Sequence, residues 1–393
     1  MIFTLKHYDT DLLTFELRQE GLDGLACSIL SVNEAKRRFL PLGMEPDGDG
    51  LLAWLRSRII PRNREYVDKI LSVYGLSRNN LPGILKLSFG LSLNDSYWCV
   101  PEGFSGSFGA FNLYENTFDK ALSLIAYTGF GSVRPSGFSS SPEFTTNGNL
   151  RKGWRRIGGT VKLFKGGSSG GANTGNEPYS EYYAAQIAGA MSVNHVPYDL
   201  TKWKGTLCST CELFTDIDHA FVSAHRFFPG HKLTEIAAEL KNMGKTFFEP
   251  FCDMMVFDAL VYNTDRHLGN FGLIVENRHH RPVGFAPIFD NGMALFPFAT
   301  EDDFADLHQY AASRLSAYDV PFDELVSAFM TERQRKQLRK LANFKFTRHS
   351  RYNLPAWRLK RLEAFIRSRA AEFLAGTGKR SVVHTEHGFE AER

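Results

Sequence analysis

The sequence has few cysteines, little net charge and no long apolar run. Five cysteines are scattered among 393 residues, and an odd number in a chain of this size argues against a disulfide framework and for a reducing compartment. The formal net charge is only +3, so the overall charge does not require a nucleic acid or a membrane as partner. No apolar run approaches membrane-spanning length, and residues 1–11 lack the basic start and apolar core of a signal peptide. These absences predict a cytoplasmic protein.

Aromatic residues, in contrast, are abundant. The chain contains 33 Phe and is 43% hydrophobic, which is ample for buried cores. Its length allows two or three domains. Basic residues are concentrated near the C-terminus, where the stretch from Thr331 to Ala370 contains thirteen Lys and Arg against two Asp and Glu. The most basic part, Arg333–Lys340, is predicted to be a solvated helix face, and direct nucleic-acid binding is not expected.

The stretch from Phe251 to Gly292 organises the chain. An apolar run, Phe251–Tyr262, predicts a buried helix and is followed by the polar turn Asn263–Asn270. Phe271–Val275 predicts a short strand, and a charged hairpin leads to a second apolar segment that ends at Asp290-Asn291-Gly292. The pattern therefore places two carboxylates and an amide at the ends of a β-hairpin that follows a buried helix.

Phosphoryl transfer is the chemistry that requires this arrangement. One Asp positions the acceptor hydroxyl, an Asn five residues later holds magnesium, and an Asp beyond the hairpin holds it as well. Asp265, Asn270 and Asp290 have this spacing. The structural alternative is a polar turn in which Asp and Asn cap backbone amides.

The same residues resemble a known family. Asn263-Thr-Asp-Arg-His-Leu-Gly-Asn270 together with Pro287-Ile-Phe-Asp-Asn-Gly292 resembles the HipA-type serine/threonine kinases, the toxin-related bacterial branch of the protein-kinase-like fold. The order Asp-Arg-His-x-x-Asn is also similar to the phosphatidylinositol-3-kinase-like branch. The resemblance covers roughly residues 132–374. It implies a kinase that uses ATP and Mg²⁺, with Asp265 as the catalytic Asp and with Asn270 and Asp290 as metal ligands.

The resemblance also implies a fold. We expect an α+β, bilobal protein-kinase-like structure with a small β-rich N-lobe at residues 126–214 and a mainly helical C-lobe at 215–376, which contains the catalytic hairpin 263–292. An additional α+β region of unknown role precedes it at residues 1–125 and does not match the usual N-terminal part of these kinases. Residues 377–393 are predicted to form a flexible tail.

Two further charged residues are candidates for the nucleotide site. Thr160–Lys165 alternates as a strand, and Lys165 at its end is placed to reach the α- and β-phosphates. Asn176 is the predicted N-cap of a helix that carries Glu177 and Glu181 on one face. We expect Glu181 to orient Lys165. The alternatives are an edge-strand lysine in water and two surface glutamates.

Two segments are expected to contact the nucleotide. Glu143–Arg156 predicts strand, turn and strand, with Thr145, Thr146, Asn147 and Gly148 in the turn. In HipA-type kinases the corresponding loop covers the nucleotide and carries a Ser or Thr that is open to autophosphorylation, but an ordinary hairpin fits this sequence equally well. The second segment is Glu212, Leu213 and Phe214, which by position would form the hinge that binds adenine.

The resulting hypothesis is a magnesium-dependent, ATP-using kinase that acts on Ser or Thr hydroxyls and can phosphorylate itself. Two alternatives remain: a catalytically silent kinase-like binding module and an enzyme that transfers AMP. A metal hydrolase built on His267 ranks last, because no zinc-type ligand spacing accompanies it. Arg266 is a candidate to pair with a phosphorylated residue. The resemblance also raises the prospect of a DNA-binding, antitoxin-like partner.

Overall fold

The computed structural model describes residues 1–20, 24–132, 138–171 and 173–376. The chain forms two compact units, and each is assembled from separate stretches of sequence. Unit 1 comprises Met1–Gly166, Glu212–Val222 and Ile274–Val283, and unit 2 comprises Gly167–Cys211, Ser223–Leu273 and the chain from Gly284 onward. The boundaries predicted at 125 and 214 remain predictions. The predicted tail, 377–393, lies outside the described residues.

Unit 1 begins with a four-stranded antiparallel sheet. Its strands are β1 (Ile2–His7), β2 (Thr10–Glu20), β3 (Gly24–Val32) and β4 (Tyr97–Pro101), in the order β3-β2-β1-β4. Alternating apolar side chains explain the register, because Phe3 pairs with Phe15 and Leu5 with Leu13, and all four are buried. Helix α1 (Gly48–Ser57) adds Leu51, Trp54 and Leu55 to the same core.

Short helices complete the first part of unit 1. They are α2 (Val67–Ser72), α3 (Leu81–Ser88), α4 (Phe108–Phe111) and α5 (Lys120–Thr128), with 3₁₀ turns at Glu34–Phe39 and Pro142–Phe144. Asp119 caps the start of α5 by accepting from the amides of Ala121 and Leu122. Gly129, at φ +75°, ends the helix in the left-handed region.

A hairpin of β5 (Lys152–Ile157) and β6 (Thr160–Gly166) follows. Its turn is Gly158-Gly159, and both residues have positive φ, as a type I′ turn requires. The strand predicted for Thr160–Lys165 is confirmed. The hairpin predicted at Glu143–Arg156 is wrong, because Pro142–Phe144 is a 3₁₀ turn rather than a strand, whereas the predicted second strand corresponds to β5.

Unit 2 is mainly helical. Its helices are α6 (Glu177–Met191), α7 (Ala224–Phe227), α8 (Leu233–Met243), α9 (Lys245–Val261), α10 (Leu307–Ala312), α11 (Phe322–Phe329), α12 (Glu332–Arg339) and α13 (Ala356–Ala375). Strands β7 (Asp199–Trp203) and β8 (Thr206–Glu212) form an antiparallel hairpin. Strands β9 (His219–Ser223), β10 (Gly272–Glu276) and β11 (Arg281–Phe285) form a three-stranded sheet in the order β11-β10-β9, and most of their residues belong to the unit 1 segments 212–222 and 274–283.

Local sequence explains where several of these helices begin. Pro321 and Pro355 immediately precede α11 and α13. Proline lacks a backbone N–H and is tolerated at the start of a helix but not in its interior. Thr331 and Gln334 form a capping box at the start of α12. None of the helices in the described part of the chain combines the length and the apolar character needed to cross a bilayer.

Candidate active site

Helix α9 positions the turn that carries the predicted catalytic residues. It is buried from Phe251 to Val261 and ends at Tyr262 in the left-handed conformation. The next residue, Asn263, is buried, and its side chain connects two predicted site residues. Its Oδ1 accepts from the Asp265 amide at 3.2 Å, and its Nδ2 donates to the Asp290 carbonyl at 3.4 Å. The structure therefore brings the turn and the far end of the hairpin together.

The buried guanidinium of Arg266 stabilises this arrangement through hydrogen bonds. Its Nε and Nη2 donate to both carboxylate oxygens of Asp258, at 2.8 and 3.1 Å. Its Nη1 donates to the carbonyls of Asn270 and Phe289, and its Nη2 also donates to the Asn291 side chain at 2.7 Å. Arg266 is only 1% exposed. The predicted pairing of Arg266 with a phosphorylated residue is therefore wrong, because a carboxylate inside the protein already engages the guanidinium.

Burial and pairing act in opposite directions on the pKa values of Arg266 and Asp258. Burial raises the pKa of the Asp258 carboxyl, and the charge and hydrogen bonds of Arg266 oppose that rise. Burial likewise disfavours the charge on Arg266, but Asp258 outweighs it and raises the pKa of the guanidinium above its usual value. Each partner therefore depends on the other.

Asn270 is oriented so that its amide oxygen is available. Its Nδ2 donates to the Asp265 carbonyl at 2.9 Å, whereas its Oδ1 accepts no hydrogen bond from the described residues. Asp265 is exposed, and Asp290 is partly exposed with a left-handed backbone at φ +54°. Amide and carboxylate oxygens are the hard donors that Mg²⁺ prefers, so these residues fit the metal that the resemblance implies.

A magnesium ion at Asn270 and Asp290 would need further ligands. Within the described ranges, no group of three or more His, Cys, Asp and Glu side chains is placed to hold a metal ion. Mg²⁺ is commonly held by one or two protein oxygens together with substrate phosphates and water. The donor set therefore suits a metal that arrives with a nucleotide.

Helix α6 connects to the same site through Glu181. Glu181 is fully buried, and its Oε2 accepts from the Asn291 amide at 2.8 Å. The amide of the neighbouring Asp290 donates to the Tyr198 hydroxyl at 3.2 Å. Burial, followed by the charges of Glu181, Cys211 and Asp290, raises the pKa of Tyr198 well above its usual value, so the hydroxyl stays protonated. The alternative of two surface glutamates is wrong, because Glu177 is only 2% exposed as well.

Lys165 lies at the end of β6 and is 8% exposed. The alternative of a solvated edge-strand lysine is therefore wrong. Lys165 belongs to unit 1 and Glu181 to unit 2, and their pairing remains a prediction.

The residues predicted to contact the phosphates are engaged inside unit 1. The Thr145 hydroxyl donates to the Leu91 carbonyl at 2.8 Å, and the Thr146 hydroxyl donates to the Pro142 carbonyl at 2.7 Å. Lys152 Nζ donates to the Asn147 carbonyl at 2.7 Å. Nucleotide binding by Thr145, Thr146, Asn147 and Gly148 remains a prediction, but it requires backbone amides rather than these hydroxyls.

The predicted adenine-binding segment follows the end of β8. The chain passes from unit 2 to unit 1 between Cys211 and Glu212. The Leu213 amide donates to the Val161 carbonyl at 3.0 Å, so adenine would have to use other backbone groups of Glu212–Phe214. This assignment also remains a prediction.

Sequence reasoning missed four residues that shape the site: Asp258, Asn263, Asn291 and Tyr198. One signal was available, since Asp258 is a charged residue in the middle of an apolar helix and a buried carboxylate needs a partner. Nothing local in the sequence marks Tyr198, which reaches the site from 92 residues before Asp290.

The chain is similar in fold to a protein of known structure. No family model matches the chain. HipA of Shewanella oneidensis, solved in complex with HipB and its operator DNA, superposes with a TM-score of 0.54 over 97% of this chain and 100% of that chain, at 13% identity. The chain has the fold of HipA. The predicted α+β kinase-like fold and the predicted resemblance to HipA-type kinases are thereby confirmed.

A curated protein that is similar to this chain in sequence is a kinase by name. The serine/threonine-protein kinase CtkA of Helicobacter pylori is 31% identical over 146 residues, which make up 32% of this chain. The chain spans 43% of the length of this curated relative. The crystal structure of the Helicobacter pylori proinflammatory kinase CtkA matches with a TM-score of 0.39 and 19% identity over 57% of this chain and 90% of that chain.

Proposed function

We propose that this protein is a magnesium-dependent, ATP-using phosphotransferase that phosphorylates Ser or Thr hydroxyls. The observation that carries the proposal is the hydrogen-bonded frame in which Asn263 and Arg266 tie together the backbones of Asp265, Asn270 and Asp290. The fold of HipA and the sequence similarity to a serine/threonine kinase support it.

Each site residue has a role that follows from its place. Asn270 and Asp290 would hold Mg²⁺, which when bound neutralises charge on the transferred phosphate. The exposed Asp265 would align the acceptor hydroxyl and take its proton, because it is accessible to a protein substrate. Lys165 would orient the α- and β-phosphates, and Glu181 would orient Lys165. The buried frame of Asn263 and Arg266 would keep Asp265, Asn270 and Asp290 in position before substrate binds. Positioning of the reacting groups dominates this reaction.

Intact-mass spectrometry of the purified chain after incubation with Mg-ATP tests the proposal. We expect the unaltered protein to gain phosphate, or to phosphorylate proteins in a lysate, and we expect Asp265→Asn and Asp290→Ala to lose at least about a hundredfold in rate while remaining folded. Asp302→Asn, which changes an exposed carboxylate in unit 2, is the matched control and should retain activity.

The same experiment separates the alternative functions. A gain of AMP in place of phosphate would identify a nucleotidyl transferase. The absence of any ATP-dependent transfer by the unaltered protein, to itself or to lysate proteins, would establish the silent binding module. Equal activity in Asp290→Ala and in the unaltered protein would refute the assigned metal ligands.

A DNA-binding, antitoxin-like partner is part of the same proposal, because HipA was solved together with HipB and operator DNA. The test is to co-express this chain with the product of an adjacent gene that encodes a small DNA-binding protein. A complex that elutes together at sub-micromolar concentration supports the partnership, and separate elution of the two folded proteins contradicts it.

A further inference from the structure

Unit 1 contains a cationic cavity remote in sequence from every residue assigned to catalysis. Its volume is about 720 Å³, within the range of small-molecule sites. Arg56, Arg62 and Arg78 line it, together with partly exposed apolar residues that include Leu25 and Ile59. None of the nine lining residues is acidic, but Arg78 forms an ion pair with Asp68. The cavity therefore combines three guanidinium groups, one of them neutralised by Asp68, with some apolar surface.

Buried arginines fix the position of the chain segment Ile59–Arg62, which lines the cavity. Arg58 is buried and binds Asp95 and the carbonyls of Gly90 and Tyr97, with distances between 2.5 and 3.1 Å. Arg64 is also buried and forms an ion pair with Glu143 at 2.7 Å, besides its bonds to main-chain carbonyls. Two arginines of the segment thus anchor it at either end of Ile59–Arg62.

The other two arginines of the segment remain available. In the described part of the chain, the guanidinium groups of Arg56 and Arg62 have no hydrogen-bond or ion-pair partner, and both residues are exposed. Arg78 is fixed in place, since it binds Asp68 and donates to the Arg62 carbonyl at 2.5 Å. The segment therefore presents two unpaired guanidinium groups on a rigid backbone, beside a third that is held in position.

We propose that this cavity binds a small phosphate ester with an apolar body. A phosphate monoester carries about −1.5 to −2 charge at neutral pH, which suits several guanidinium groups better than a single carboxylate would. The planar fork of Arg matches phosphate in a two-bond geometry. Leu25 and Ile59, which are both partly exposed, offer the apolar contact that a ring or chain next to the phosphate would fill. The site is independent of the proposed kinase activity.

Isothermal titration calorimetry on the full chain, in buffer with EDTA, tests the site. The probes are 1-naphthyl phosphate, which combines a phosphate with an apolar ring, and inorganic phosphate, which lacks the ring. We expect 1-naphthyl phosphate to bind saturably at one site per chain and inorganic phosphate to bind at least several-fold more weakly.

Two double variants make the test specific. Arg56→Gln/Arg62→Gln should weaken binding of 1-naphthyl phosphate by about tenfold or more, because two charge-assisted contacts are lost. Arg348→Gln/Arg351→Gln removes the same charge from two exposed arginines of unit 2 and should change affinity less than about twofold, because neither residue lines the cavity and charges in water are screened by salt. Unchanged thermal melting of both variants confirms that they fold.

Three outcomes would overturn the proposal. They are the absence of saturable binding, equal weakening by both double variants, and full affinity in Arg56→Gln/Arg62→Gln. Asp290→Ala should bind 1-naphthyl phosphate like the unaltered protein, because Asp290 does not line the cavity. Loss of binding in Asp290→Ala alone would place the probe in the catalytic site and would also contradict the proposal.

Discussion

At the scale of single residues, the site depends on an ion pair that is almost completely buried. Arg266 and Asp258 are 1% and 3% exposed in their side chains. Removing one partner of such a pair leaves a buried charge without compensation, which costs far more than the pair contributes when intact. The carbonyls of Asn270 and Phe289 and the Asn291 side chain would also lose their donor.

Arg266→Ala should therefore lower the free energy of unfolding by about 3–5 kcal/mol, as measured by urea denaturation. Arg266→Lys should recover only part of this loss, because one ammonium cannot reproduce the bidentate contact with Asp258 and the three further bonds. Arg339→Ala breaks an exposed pair with Glu332 and is the control, with an expected loss below about 1 kcal/mol. Equal losses in Arg266→Ala and Arg339→Ala would contradict the structural role of Arg266.

The spacing of Asp265, Asn270 and Asp290 was readable in the sequence because the chemistry fixes it. The role of Arg266 was not, because the sequence does not show whether an arginine on a polar turn points inward. Its acceptors Phe289 and Asn291 are 23 and 25 residues away along the chain. Only the folded hairpin brings them within reach of the guanidinium.

Two adjacent histidines, the buried His7 and the partly buried His280, make unit 1 sensitive to acid. His7 and His280 pack edge to face with ring centroids 5.1 Å apart, and His280 also bonds the Tyr97 hydroxyl. Burial, followed by the neighbouring His280, lowers the pKa of His7 to about 4, against the opposing effect of Asp95. Burial also lowers the pKa of His280. Both rings are therefore neutral in the folded protein at neutral pH.

The pKa of His7 in the folded protein lies below the unfolded value of 6.5. The contribution of neutral His7 to the free energy of unfolding is therefore complete above pH 6.5, and it is lost as the pH falls toward 4. The loss for His7 is about 3 kcal/mol. Urea unfolding between pH 7 and pH 4 measures it. His7→Phe should flatten the dependence, and His225→Gln, at an exposed histidine, should not. Parallel pH profiles for all three proteins would contradict this explanation.

At the scale of secondary structure, periodic patterns predicted most elements well. The buried helix predicted at Phe251–Tyr262 and the strand at the end of which Lys165 lies are both present. The first strand of the hairpin predicted at Glu143–Arg156 is absent, because Pro142–Phe144 forms a 3₁₀ turn. The Thr146 hydroxyl instead bonds the Pro142 carbonyl, and such side-chain bonds to the backbone compete with strand formation. The Gly158-Gly159 pair was the stronger hairpin signal.

The hairpin turn provides a test at this scale. Gly159 has φ +87°, and no atom lies within 4 Å of the position that a Cβ would occupy, so Gly159→Ala carries only a backbone penalty, expected at about 1 kcal/mol. Gly284→Ala is the matched control, since Gly284 has the same open surroundings without a positive φ. It should be neutral or slightly stabilising. Chemical denaturation compares the two, and an equal effect would contradict the assigned turn.

The basic C-terminal region illustrates how elements use charge. Several of its arginines donate to main-chain carbonyls inside unit 2, among them Arg358 to Phe296 at 2.7 Å and Arg367 to Phe344 at 2.8 Å. Arg333 binds Asp253 of α9. Part of the local excess of positive charge therefore stabilises the helical unit.

At the scale of the whole molecule, the sequence could not predict how the two units are assembled. Unit 1 includes the short segments 212–222 and 274–283, which are separated in sequence from its main part. Each segment is too small to form a core alone. Long-range bonds hold them, such as that from the Thr215 hydroxyl to the Leu93 carbonyl at 2.6 Å. Local periodicity carries no information about such returns. The likeness to HipA at 13% identity shows that the fold tolerates almost complete sequence change.

The central claim is that Asp290 and Asn270 bind magnesium together with a nucleotide. Calorimetric titration of a non-hydrolysable ATP analogue, with and without Mg²⁺, measures this most directly. We predict that Mg²⁺ strengthens binding to the unaltered protein and to Asp302→Asn by at least about tenfold, because charge on the phosphates is neutralised at the site, and that Asn270→Ala and Asp290→Ala lose this gain. An equal magnesium dependence in all four proteins would contradict the claim.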